Sequence, residues 1–132
     1  MPKTPMKDVM TPGPHTIGHD QPLRVAWTTL EHHHIRHLPV PRAGQLVGLL
    51  SERDLRMLES IPGVDRDRVT VEEAMAQDVF VVSPDTPLGN ACEVMAERKL
   101  GCIVVADHGT VVGIFSAVDA VRLLAHELNK RA

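Results

Sequence analysis

Aromatic residues are almost missing from this chain: one tryptophan, two phenylalanines and no tyrosine among 132 residues. A platform that stacks the bases of a single strand needs several exposed rings, so that class of binder is disfavoured. Surplus positive charge is missing too. Fourteen Lys and Arg face 17 Asp and Glu for a net charge of −3, with no basic block. That argues against a general affinity for nucleic-acid phosphate. No apolar run approaches the roughly 20 residues that span a bilayer, so no membrane association is expected. The longest run, Cys102 to Ala106, suits a buried strand. Met1-Pro2-Lys3-Thr4 leads into no apolar segment, and no secretory leader is expected. The two cysteines, Cys92 and Cys102, form no C-x-x-C pair and both sit in apolar patterns. Buried free thiols in a reducing, cytoplasmic compartment are the expectation. Nucleophile elbow, Walker glycine loop and H-E-x-x-H are likewise missing, so neither catalysis nor a catalytic cofactor is expected.

What is present is a duplication. A shift of 65 residues lays one half of the chain on the other without a gap. It puts Met10 on Met75, Asp20 on Asp85, Pro22-Leu23 on Pro87-Leu88 and Ala26 on Ala91. Farther along, Val40 falls on Val105, Gly44 on Gly109, Val47-Gly48 on Val112-Gly113, Ser51 on Ser116 and Asp54 on Asp119. Ungapped identity at glycine, proline, serine and aspartate marks positions with backbone duties, and so an internal repeat. Two copies are too few for a solenoid. A pseudo-twofold pair packed sheet to sheet is the expected solution.

Within each copy the hydrophobic period changes in order. A short helix ends near Met10 or Met75, the second opened by the capping box of Thr70 and Glu73. An extended piece follows, Thr16-Ile17 or Val79 to Val82. Asp20 and Asp85 are placed as helix N-caps, with Pro22 and Pro87 in the first turn. Leu23, Ala26, Trp27 and Leu30, like Leu88, Ala91, Cys92 and Met95, have the spacing of one buried helical face. Two strands come next, Leu38 to Val40 then Leu46 to Leu50, and Cys102 to Val105 then Val111 to Phe115. Gly44 and Gly109 supply the turns between them. A last helix starts at Ser51 or Ser116, and Val121, Leu124 and Leu128 share one side of the second. The fold class is therefore α/β, two β-α-β-β-α repeats: residues 7–58, a linker over 59–69, and residues 70–128 with the C-terminal helix.

Asp8-Val9-Met10-Thr11-Pro12, Ile35 to Val40 and Leu46 to Leu55 in the first copy resemble the CBS-domain family, the regulatory module named for cystathionine β-synthase. Ala74-Met75, Val81 to Leu88 and Val111 to Asp119 carry the same resemblance in the second. The first copy also looks, more loosely, like small bacterial two-repeat proteins of acetoin utilisation. The resemblance implies a non-catalytic module with two clefts for adenosine-type ligands, paired into a homodimer and acting on an effector protein in trans. An AMP, ADP or ATP sensor is the leading expectation. A ligand-free dimerisation module, or a sensor of S-adenosylmethionine or NAD, is the alternative.

The sharpest constellation is Ser-x-x-Asp at the strand-to-helix junction, Ser51 with Asp54 and Ser116 with Asp119. One carboxylate can accept both hydroxyls of a ribose diol. A serine at a helix N-terminus stands where free N–H groups and the dipole favour phosphate. The same pattern is also a common helix cap, and only the family resemblance tips the balance toward ligand contact. By resemblance, Thr16, Ile17 and Leu38-Pro39-Val40 line one adenine slot, and Val81, Val82, Ile103 and Val104 the other. Their competing role is plain core. Arg36, His37 and Arg53 supply charge for phosphate in the first copy. The second has Gly101, Cys102 and Val118 there, with Arg98 and Lys99 as partial compensation, so unequal sites are expected. His32-His33-His34 with His37 suggests metal. Consecutive histidines on a helix diverge, however, and a solvated helix C-terminus accounts for them better than a metal site.

Overall fold

The computed structural model describes residues 3–131. A 3-10 turn at Met6–Asp8 is followed by β1 (Thr11–Pro12), α1 (Leu23–His33), β2 (His37–Arg42), β3 (Gln45–Ser51) and α2 (Glu52–Glu59). Then come α3 (Val71–Ala74), β4 (Val81–Val82), α4 (Leu88–Arg98), β5 (Cys102–Asp107), β6 (Thr110–Ser116) and α5 (Ala117–Lys130). The fold is mixed α/β. The 65-residue shift superposes α1 on α4, β2 on β5 and β3 on β6 to the residue.

The chain forms two compact units, and they do not follow the sequence halves. One holds Pro14–Val79 with Gly109–Val111; the other holds the segment ending at Gly13, Phe80–His108 and the stretch from Val112 onward. Each half contributes its leading segment to the unit built mainly from the other. In the second unit β1 lies antiparallel to β6, with Thr11 opposite Ile114 and Pro12 opposite Gly113. In the first, Ala76 and Leu49 exchange two backbone bonds of 2.9 Å, at positions 65 residues away from that pairing.

The same exchange starts the helices. Leu23 N–H donates to the Val69 carbonyl at 3.0 Å, and Leu88 N–H to the Thr4 carbonyl at 2.7 Å. This corrects the expected caps. The N-caps are Pro22 and Pro87, extended and without a side-chain cap bond, because a backbone carbonyl from the exchanged segment already takes the first helical N–H. Asp85 pairs instead with Lys7 at 3.2 Å.

Each unit has its own core. In the first, Leu23, Ala26 and Leu30 pack with Leu38, Val40, Leu50 and Leu55. In the second, Leu88, Ala91 and Met95 pack with Met6, Ile103, Val105 and Phe115. Both β-hairpins turn on two residues of positive φ, Ala43 (49°) with Gly44 (79°) and His108 (51°) with Gly109 (85°). That pattern matches the right-handed twist of the strands. Gly48 and Gly113 serve a different need. A Cβ at Gly48 would come 2.8 Å from Met75 Cγ, and one at Gly113 would come 2.8 Å from Met10 Cγ. The methionine of each exchanged segment rests where a side chain would stand. The Met10/Met75 and Gly48/Gly113 matches are therefore one device.

Sheets and helices bury unequal shares of their apolar residues. The second unit's sheet runs β1-β6-β5-β4, while β2 and β3 form a two-stranded sheet in the first. On α5, Val118, Val121, Leu124 and Leu128 are each more than half exposed. They form a stripe along one side of a 14-residue helix.

Candidate functional site

In the first unit, β2 and β3 end side by side, and His37 stands opposite Ser51. Glu52 N–H donates to the Arg36 carbonyl at 2.9 Å, tying the start of α2 to the start of β2. Ile17 N–H donates to the Pro39 carbonyl at 3.2 Å and brings Thr16 and Ile17 to the same strand. The structure thus gathers Thr16, Ile17, Arg36, His37, Ser51, Arg53 and Asp54 at one end of the hairpin. Thr16-Ile17 is not a strand, whereas its counterpart β4 is, parallel to β5 with Val81 opposite Val104.

The Ser51 hydroxyl accepts the Asp54 N–H at 3.0 Å and caps α2. Among the described residues the Asp54 carboxylate accepts no hydrogen bond in return. Burial holds the His37 imidazole below its usual range, the nearby Asp54 charge pulls it back up, and Arg36 pushes it down. Arg36 and Arg53 are exposed and make no ion pair among the described residues. The Asp54 carboxylate and the α2 N-terminus thus stand beside His37, which also feels the Arg36 charge, and Arg53 precedes Asp54 in the chain.

The second junction is closed on itself. Ser116 Oγ accepts the Asp119 N–H at 3.1 Å, and Asp119 Oδ2 accepts the Ser116 N–H at 2.9 Å, a complete capping box. Asp119 Oδ1 lies 3.9 Å from Arg122. Cys102 occupies the position of His37, and burial, with the Asp119 charge adding, pushes its thiol up to about 12. Val118, more than half exposed, stands where the first copy has Arg53. Arg98 lies 5.4 Å from the Phe80 ring centroid and is engaged there.

The expected slot residues divide by depth. Leu38, Pro39, Ile103 and Val104 are fully buried, backbone included, and serve as core. Val104 N–H donates to the Phe80 carbonyl at 3.2 Å. Ile17 and Val82 are 5% and 8% exposed, and Val81 is 41% exposed. Both cysteines are free, but only Cys102 is buried. Cys92, expected to be buried, is half-buried. The histidine run falls at the end of α1, with His34 as its left-handed C-cap. His15 stacks on His33 with centroids 3.5 Å apart and planes 15° from parallel, so the in-plane lone pairs of the two rings do not converge.

One concavity escaped the sequence reading. A pocket of about 340 Å³ opens between the end of α1 and the start of α2, with Trp27, Glu31, Arg36 and Arg56 among its walls. Helical spacing placed Trp27 with the core, against which it does pack, half-buried, but did not show that it also lines this pocket.

The CBS-domain family model matches residues 6–60 and again 71–126. The chain belongs to the CBS-domain family. A curated relative, the CBS domain-containing protein YhcV of Bacillus subtilis, is 28% identical over 123 residues, 92% of this chain and 87% of YhcV. Other relatives are longer proteins, of which this chain spans 15% and 23%. Among solved structures, the acetoin utilization protein AcuB of Vibrio cholerae is similar at TM-score 0.85 and 30% identity, covering 98% of this chain and 97% of that one. The CBS domain pair of MJ0100, solved with 5′-methylthioadenosine and S-adenosyl-L-methionine, follows at 0.83 and 27%, covering 96% and 99%. CBSX2, solved with AMP, follows at 0.78 and 25%, covering 92% and 96%.

Proposed function

We propose that this CBS pair is a non-catalytic sensor of adenosine nucleotides of the AMP, ADP and ATP class, with the first copy as the principal site. One observation carries the reading. Asp54 stands at a helix start with its carboxylate accepting no hydrogen bond among the described residues, beside His37, and the exposed Arg36 and Arg53 form no ion pair there. Ribose hydroxyls suit the carboxylate; phosphate suits the guanidinium groups and the helix N-terminus. The AMP complex of CBSX2 supports the ligand class. The MJ0100 complex supports a second reading for the second copy. Without Arg53 or His37 equivalents, that site suits a less anionic adenosine compound.

The signal passes by population shift: a nucleotide that favours one arrangement of the module favours whatever an effector protein reads from it. In this reading the chain pairs with a second copy through the exposed apolar stripe of α5, which a twofold axis lays against itself. The test is thermal unfolding with AMP, ADP, ATP, NAD and S-adenosylmethionine. At one hundred times its dissociation constant a ligand adds about 2.7 kcal/mol, several degrees in a domain of this size. A rise with AMP, ADP or ATP that Asp54→Ala removes supports the sensor. No rise with any adenosine compound leaves the dimerisation module.

A further inference from the structure

The pocket between α1 and α2 has a charge pattern that adenosine nucleotides explain only in part, because Arg36 also serves the nucleotide reading whereas Glu31 has no place in it. Its floor is apolar: Leu30, 3% exposed, with the half-buried Ile35 and Trp27. Of its charged walls, Arg56 and Glu52 satisfy each other, Nε and Nη2 donating to one carboxylate oxygen at 2.9 and 2.6 Å. Arg56 also lies 5.4 Å from the Trp27 ring centroid, which holds it in place. Beside the His34 imidazole, Glu31 and Arg36 remain, of opposite sign, exposed, and without an ion pair among the described residues, so an amino acid and a nucleotide phosphate compete for Arg36.

We infer that this pocket binds an apolar α-amino acid. The ligand carboxylate goes to Arg36, the ammonium to Glu31, and the side chain onto Leu30, Ile35 and Trp27. The ammonium is further favoured by the partial negative charge at the C-terminus of α1, on whose last turn Glu31 sits. A nucleotide would bring anionic charge with no ammonium and leave Glu31 facing it. A wholly apolar ligand would desolvate both charges without pairing either. A volume of about 340 Å³ lies in the range of small-molecule sites.

Trp27 is the chain's single tryptophan, so its fluorescence reports on the pocket directly. The full chain is titrated with L-leucine, L-methionine and L-phenylalanine. The controls are leucinamide, which lacks the carboxylate, and 4-methylpentanoate, which lacks the ammonium. A saturable change with at least one amino acid at about 1 mM or below is expected, with both controls at least tenfold weaker. Glu31→Gln weakens the response at least tenfold while its melting temperature and its nucleotide response stay at the wild-type level. Asp54→Ala leaves the amino-acid response intact, so failure of the nucleotide reading and failure of this one are distinguishable. No saturable change up to about 10 mM overturns the inference. So does equal binding of either control, or a response abolished by self-association, which would make the groove a seat for a second copy.

Discussion

Asp54 and Asp119 occupy the same position in two copies of one motif, yet they are held differently. Asp119 folds back to accept the Ser116 N–H at 2.9 Å, and its serine returns the bond. Asp54 leaves that bond unmade and shares its surroundings with His37, Arg36 and Arg53. The difference accompanies a change of neighbours around an unchanged motif. At positions 101, 102 and 118 the second copy has Gly, Cys and Val where the first has Arg36, His37 and Arg53. Both serines cap their helices, and only the second junction closes a full capping box, which under the proposed reading leaves Asp54 for a ligand. Within a duplicated chain, the two copies can take one role each.

The largest effects test whether the two units share a design. Leu50 and Phe115 are aligned and fully buried, each in its own core. Leu50→Ala is expected to cost about 2–5 kcal/mol and Phe115→Ala about 3–5 kcal/mol in urea unfolding. A loss below about 1 kcal/mol at either position would show that its unit lacks the core described. Next, the aspartates should trade effects. Asp54→Ala weakens AMP binding at least tenfold, about 1.4 kcal/mol, with little loss of stability. Asp119→Ala opens the capping box and costs about 1 kcal/mol of stability with little change in AMP binding. Equal behaviour of the two variants would erase the distinction between the copies.

The smallest effects lie in pH dependence, and the aligned pair His37 and Cys102 gives opposite signs. Burial lowers the folded-state pKa of His37 below that of the unfolded imidazole. Its contribution is therefore present above the usual histidine range and lost as pH falls through that range, where the unfolded chain gains a proton first. Burial raises Cys102 from 9.0 to about 12. Its contribution is present below about 9 and lost as pH rises from there toward about 12, where the unfolded thiol ionises first. His37→Gln should flatten the acidic limb of a stability-against-pH curve, and Cys102→Ala the alkaline limb.

Much of this comparison was legible because the duplicated residues have backbone duties. Gly44 and Gly109 set turns, and Ser51 and Ser116 start helices. The 65-residue spacing then places α1 and α4, and both hairpins, residue for residue. The exchange of leading segments was not legible. Thr11-Pro12 pairs with strand residues about a hundred positions away, and nothing local to that dipeptide names them. The misplaced caps at Asp20 and Asp85 follow from the same gap, since the carbonyls of Val69 and Thr4 do the work expected of the aspartates. Helical spacing identified one apolar side on α5 but not that this side faces outward. In the candidate site, residue identities marked Asp54 and Asp119 alike. The flanking residues already marked the copies as unequal, and the hydrogen bonds add that Asp119 closes a capping box while Asp54 does not.

The most direct test is isothermal titration of AMP into the wild-type chain, Asp54→Ala and Asp119→Ala. The account predicts one dominant nucleotide site per chain, lost in Asp54→Ala and kept in Asp119→Ala. Two equal sites in the wild type, or a dominant site that disappears with Asp119→Ala and survives Asp54→Ala, would contradict it.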